Sequence, residues 1–116
     1  LRSGVWTMEQ FLNAFCENFI RHTENPGKHE VSLAESSLDL WTDGYLPTHP
    51  LRKVSIYDKG ALVAFILDMT IRENTMHGLS LDQMLIDLWQ ATQKPNYNGY
   101  QHADIIHWIT KHTSLS

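Results

Sequence analysis

Ser55-Ile56-Tyr57-Asp58-Lys59-Gly60-Ala61-Leu62-Val63-Ala64-Phe65-Ile66-Leu67-Asp68-Met69-Thr70-Ile71-Arg72 contains seven consecutive apolar residues, Ala61 to Leu67, with Met69 and Ile71 beyond them. Ser55 stands three positions before Asp58, the spacing of a capping box. The serine oxygen takes an orphan backbone N–H, and the carboxylate reaches back while opposing the positive helix end. Apolar residues facing all round predict a helix buried on every side, at the middle of a bundle. The run falls well short of the roughly 18 apolar residues of a membrane span, and Asp68 and Arg72 interrupt it. Its Val, Phe and Ile would also suit a buried strand. The capping box and the Asp68/Arg72 pair at i,i+4 favour a helix, placed at about residues 56–74.

Upstream, Thr7 and Gln10 form another capping box, across which Trp6 can staple to Phe11. Met8, Phe11, Leu12, Phe15, Cys16, Phe19 and Ile20 recur at helical spacing and make one broad apolar face. This first helix should fade near His22, before the turn signal Asn25-Pro26-Gly27. Ser32 with Glu35 is a third capping box. It opens a shorter helix carrying Leu33, Ala34, Leu38, Leu40 and Trp41, with Gly44 as its stop. Residues 43–54 hold Gly44, Pro47 and Pro50 without a period and read as a loop of about a dozen residues, a length often functional.

Downstream, His77-Gly78 should end the central helix, and Ser80 with Gln83 is a fourth capping box. Leu81, Met84, Leu85, Leu88 and Trp89 then give an amphipathic helix with the core on one side. A turn-rich connection, Lys94-Pro95-Asn96-Tyr97-Asn98-Gly99, leads to a last helix at about residues 102–111 with Ile105, Ile106, Trp108 and Ile109 inward. No period-two alternation, internal repeat or low-complexity segment interrupts this pattern. The predicted fold is all-α, a compact bundle of about five helices around a buried central helix, with residues 1–116 as one domain.

Hydrophobic content of 42% and charged content of 19% describe a folded globule rather than a disordered tail. A net charge of −4, with nine Lys and Arg scattered along the chain, leaves no phosphate-binding stripe and argues against nucleic acid. The one cysteine, Cys16, excludes an internal disulfide and, lying among Phe15, Phe19 and Ile20, reads as a small buried hydrophobe. Neither a signal peptide nor a transmembrane segment is expected within these residues. The chain starts at Leu1 and enters a helix almost at once, as a piece of something longer would.

Seven histidines raise a metal question. Helical zinc ligands need i,i+3 or i,i+4 spacing to share a face. His102, His107 and His112 are each five apart, roughly 140° round the axis. His29-Glu30 lacks a second histidine. No metal site or bound cofactor is therefore expected in this chain. Ser32, Ser55 and Ser80 are explained as helix caps, and neither a Gly-x-Ser-x-Gly elbow nor a glycine-rich phosphate loop occurs. Asp68, a carboxylate in the buried helix, needs a partner, and Arg72 one turn on supplies it. Tyr57, in the first turn of that helix, reads on pattern alone as a packing residue with its hydroxyl at the rim.

The company of Tyr57 opens a second reading. Tyr57-Asp58-Lys59-Gly60-Ala61 resembles the Tyr-Glu-Lys-Gly-Ala motif of gluzincin-type zinc aminopeptidases. The wider sequence resembles one family of these, the glycyl aminopeptidases. Leu1-Arg2-Ser3-Gly4 is similar to the Leu-Arg-Ala-Gly that follows that family's metal-binding helices, and Ser32 to Trp41 to its Ser-Leu-Ala-Glu-Ala-Ser-Phe-Asp-x-Trp segment. Val54-Ser55-Ile56-Tyr57-Asp58-Lys59-Gly60-Ala61-Leu62-Val63-Ala64 is similar to its Val-Ser-Tyr-Tyr-x-Lys-Gly-Ala-Leu-Val-Ala. Leu67-Asp68-Met69 and Ile71-Arg72 continue the likeness, as do Gly78, Ser80-Leu81-Asp82 and Leu88-Trp89.

The resemblance implies that Tyr57 is catalytic, donating a hydrogen bond to the oxyanion of the tetrahedral intermediate. A neutral donor on a rigid helix, aimed where charge develops, stabilises the transition state more than the ground state. It also implies a parent enzyme whose zinc-binding domain, with a His-Glu-x-x-His helix and a later glutamate, lies upstream of Leu1. The present chain would be the C-terminal helical part of the catalytic region, forming one wall of the peptide-substrate cleft and inactive alone. A PDZ domain could follow, as in many members. Ile56 departs from the family where a second tyrosine is usual. Separation from the zinc-binding domain would leave an apolar face and favour self-association. The alternative from another class is a non-catalytic helical protein-interaction module, in which Tyr57 would be buried against core residues.

Overall fold

The computed structural model of the protein describes residues 3–43, 54–95 and 99–114, residues 39–43 by their backbone alone. The described residues form five helices and no strand: α1 (Met8–Glu24), α2 (Leu33–Asp43), α3 (Ile56–Asn74), α4 (Leu81–Thr92) and α5 (His102–Thr113). The all-α expectation holds, and α3 has the bounds expected of it. Gly44 as the stop of α2, nearly all of the 43–54 loop, the side chains of Leu40 and Trp41, and Asn96 to Asn98 lie outside the described residues. The chain groups into two compact units, Leu1–Val63 and Ala64–Ser116. Helix α3 supplies its first turns to one and its remainder to the other.

In the first unit, two capping boxes form as read from the sequence. Thr7 and Gln10 exchange both bonds at the start of α1 (2.9 and 3.2 Å), and Ser32 and Glu35 do so at the start of α2 (2.8 and 3.2 Å). Phe11 and Phe15 stack along α1, their ring centres 6.0 Å apart. No residue of α1 is buried. Cys16 is exposed rather than buried, because it falls with Leu12 and Phe19 on the outward arc of α1. Phe11, Phe15, Asn18 and His22 occupy the inward arc.

In the second unit, Ile71, Met84, Leu88 and Trp108 form the buried core, with Leu67, Leu79, Leu81, Ile105 and Ile109 packed against it. Three expectations are corrected. The apolar run of α3 is not buried on every side: Leu62 and Ile71 are buried, whereas Val63, Ile66 and Met69 stay exposed at steps of three residues. Leu85 and Trp89 of α4 and Ile106 of α5 also face outward, since single helices here bury a narrower arc than their apolar pattern spans.

The third correction concerns the start of α4. Ser80 occupies the cap position but makes no side-chain cap bond. The Leu81 N–H instead donates to Asp68 Oδ1 at 2.8 Å, and Gln83 donates to Asp87 at 2.8 Å. Helix α3 closes in a Schellman turn, with the His77 N–H reaching Arg72 O at 2.7 Å and Met76 N–H reaching Glu73 O at 3.4 Å. The left-handed positions are Met76 (φ 49°) and His77 (φ 63°), so the turn is made without a glycine at its strained residues.

Candidate functional site

The first turn of α3 is built from its own sequence outward. Ser55 Oγ accepts the Asp58 N–H at 3.2 Å, and the Lys59 N–H closes on Ser55 O at 3.0 Å. This is half of the expected capping box. The Asp58 carboxylate does not return to Ser55 but turns to α1, where Arg21 Nε and Nη2 donate to its two oxygens at 3.0–3.3 Å. Arg21 Nη2 also donates to Asn18 Oδ1, and Glu17 lies 3.9 Å from Nη1. The hydrogen bonds to Asp58 push the guanidinium further above its ordinary range. Arg21 stands in the last turn of α1 and Asp58 in the first turn of α3, so each charge opposes the helix end that carries it.

Lys59 makes the next anchor. Its ammonium donates to Val31 O at 2.5 Å and Lys28 O at 3.3 Å, closing over the turn that leads into α2. That turn is held at its other side by the Gly27 N–H on Asn25 Oδ1 at 2.8 Å and by Lys28 Nζ on Thr23 O. Gly60 faces α2, where an added Cβ would lie 4.0 Å from Leu33 Cδ1. Three successive residues, Asp58, Lys59 and Gly60, therefore face α1, the 28–31 turn and α2. Tyr57, next to them, is 66% exposed. The arrangement is a tyrosine presented outward from a helix start whose following residues are anchored.

The second unit holds two polar groupings. Asp68 is buried, pairs with Arg72 Nε at 2.8 Å as expected, and caps α4. Asp87 accepts the Trp108 indole N–H at 2.7 Å and the Gln83 amide. These two hydrogen bonds, Trp108 first, hold its carboxyl below the usual aspartate range. His112 stacks on Trp108 at 4.2 Å, and its Nδ1 lies 2.8 Å from Trp108 O. Both groupings find their partners within the second unit, Asp68 in its core and Asp87 at the edge of it.

Among the described residues, no group of three or more His, Cys, Asp or Glu side chains could hold a metal ion. No described helix is long and apolar enough to cross a membrane. Sequence reasoning paired Asp68 with Arg72 but missed Arg21, which meets Asp58 from 37 residues away. It likewise missed the Lys59 contacts, 28 and 31 residues away. Local spacing carries no signal for either.

Residues 1–63 match the family model described as M61 glycyl aminopeptidase. The match covers more than half of the 116 residues and ends at Val63, where the first compact unit ends. Among curated proteins and among solved structures, no match is found.

Proposed function

The chain belongs to the M61 glycyl aminopeptidase family, and from that premise we propose that it is the C-terminal helical part of the catalytic region of a zinc aminopeptidase. Tyr57 is its catalytic residue. The phenolic O–H donates to the carbonyl oxygen of the scissile peptide as that oxygen gains negative charge, and so lowers the barrier without binding the substrate more tightly. The observation that carries this reading is the exposure of Tyr57 beside Asp58 and Lys59, which anchor the same helix turn. A packing tyrosine would be turned inward.

The described residues offer no zinc ligand set. On this reading the metal, which supplies the hydrolytic water, is held by the zinc-binding domain of the full-length protein. This chain contributes the donor and one wall of the peptide cleft. The exposed Met8, Leu12, Phe19 and Ile20 of α1 are covered there by the rest of the parent, and the isolated chain self-associates through them. Whether a PDZ domain follows does not alter the role of Tyr57. The alternative, a non-catalytic interaction module, expects a buried Tyr57, and the exposure of that side chain weighs against it.

The test is hydrolysis of a glycyl anilide by the full-length protein, before and after chelation. Turnover abolished by the chelator and restored by zinc supports the proposal. A full-length protein without aminopeptidase activity, or with activity indifferent to chelation, contradicts it.

A further inference from the structure

We infer that Arg21 is a positioning residue, acting on Tyr57 through Asp58; this rests on the reading of Tyr57 given above. The first turn of a helix is its loosest part, because four N–H groups lack intrahelical partners and the end frays. Tyr57 is the second residue of α3, so the direction of its side chain depends on how firmly that turn is set. The residue that follows it is gripped by a guanidinium fork, with Arg21 Nε and Nη2 on both oxygens of Asp58. A forked pair fixes orientation as well as distance. Arg21 is itself steadied one turn back by Asn18, and the Lys59 bonds hold the turn from the other side.

Stability and catalysis should respond differently to loss of this pair. The Arg21 side chain is 53% exposed and the Asp58 side chain 19%; Asp58 keeps the Ser55 cap and the favourable helix end without Arg21, so the pair contributes modestly to folding. The aim of a transition-state donor is far more sensitive, since a displacement of about 1 Å can cost about 10²-fold in rate. A residue that merely helped the fold would lower stability and activity together, whatever stood at position 57.

The experiment is a double-mutant cycle in the full-length enzyme, with kcat and KM measured separately. Arg21→Ala should lower kcat about tenfold with KM and the melting temperature nearly unchanged, short of the about 10²-fold that full misplacement costs. Asp58→Asn, which keeps the shape and removes the charge, should do the same. In a Tyr57→Phe background Arg21→Ala should have no further effect. Unchanged kcat in both single variants, or an equal loss in the Tyr57→Phe background, overturns the inference while leaving Tyr57 catalytic. Full kcat in Tyr57→Phe alone removes the reading of Tyr57, and the inference with it.

Discussion

Helix α4 is capped by a residue of helix α3: the Leu81 N–H donates to Asp68 Oδ1 at 2.8 Å while Asp68 Oδ2 takes Arg72 Nε at the same distance. One buried carboxylate thus compensates a cation and a helix end at once, which is why a charge can sit in that core.

Replacing Asp68 by Ala should therefore cost about 2–4 kcal/mol, since an orphan amide and a partly buried arginine are left together. Ser80→Ala, at the nominal cap, should stay within about 0.5 kcal/mol. Urea unfolding of both variants checks the pair of values. A larger loss at Ser80 would return the cap to the serine.

Asp87 makes stability depend on pH. Its folded carboxyl lies below the ordinary value through the bonds from Trp108 and Gln83. A lowered folded value means that the unfolded chain takes up protons first. The stabilisation is complete above the unfolded value of about 3.9 and is lost as pH falls through the folded one. Thermal melts from pH 6 to pH 2 should fall more steeply for the native protein than for Asp87→Asn. Parallel curves would contradict this.

Met76 occupies a left-handed backbone position (φ 49°) with its side chain 92% exposed. Glycine adopts that conformation without steric strain. Met76→Gly should stabilise the protein by about 0.5–1 kcal/mol, read as a shift in urea midpoint. Destabilisation would mean that the Met76 side chain contributes packing that its exposure hides.

Much of this fold is legible in the chain because local rules act over three or four residues. The boxes at Thr7 and Ser32, the Asp68/Arg72 pair and the limits of α3 all follow from such spacing. Ser80 misleads for an instructive reason: the box was spelled correctly, but Asp68, thirteen residues away, competes for α4 with a full charge and wins. Burial differs for a similar reason, since apolar pattern says which side chains could be buried and not which arc finds a neighbour. Cys16, Leu85, Trp89 and Ile106 are the cost of that difference. At the candidate site, Tyr57 stood out through its motif, whereas the grip on its helix depends on Arg21, Lys28 and Val31, whose approach is set by tertiary packing and leaves no local trace.

The central claim is that Tyr57 donates to the developing oxyanion, and Tyr57→Phe in the full-length enzyme tests it with the loss of one oxygen. The account predicts a fall in kcat of roughly 10² or more with little change in KM, the magnitude of losing one oxyanion donor. An unchanged kcat would contradict it and leave Tyr57 an exposed surface residue.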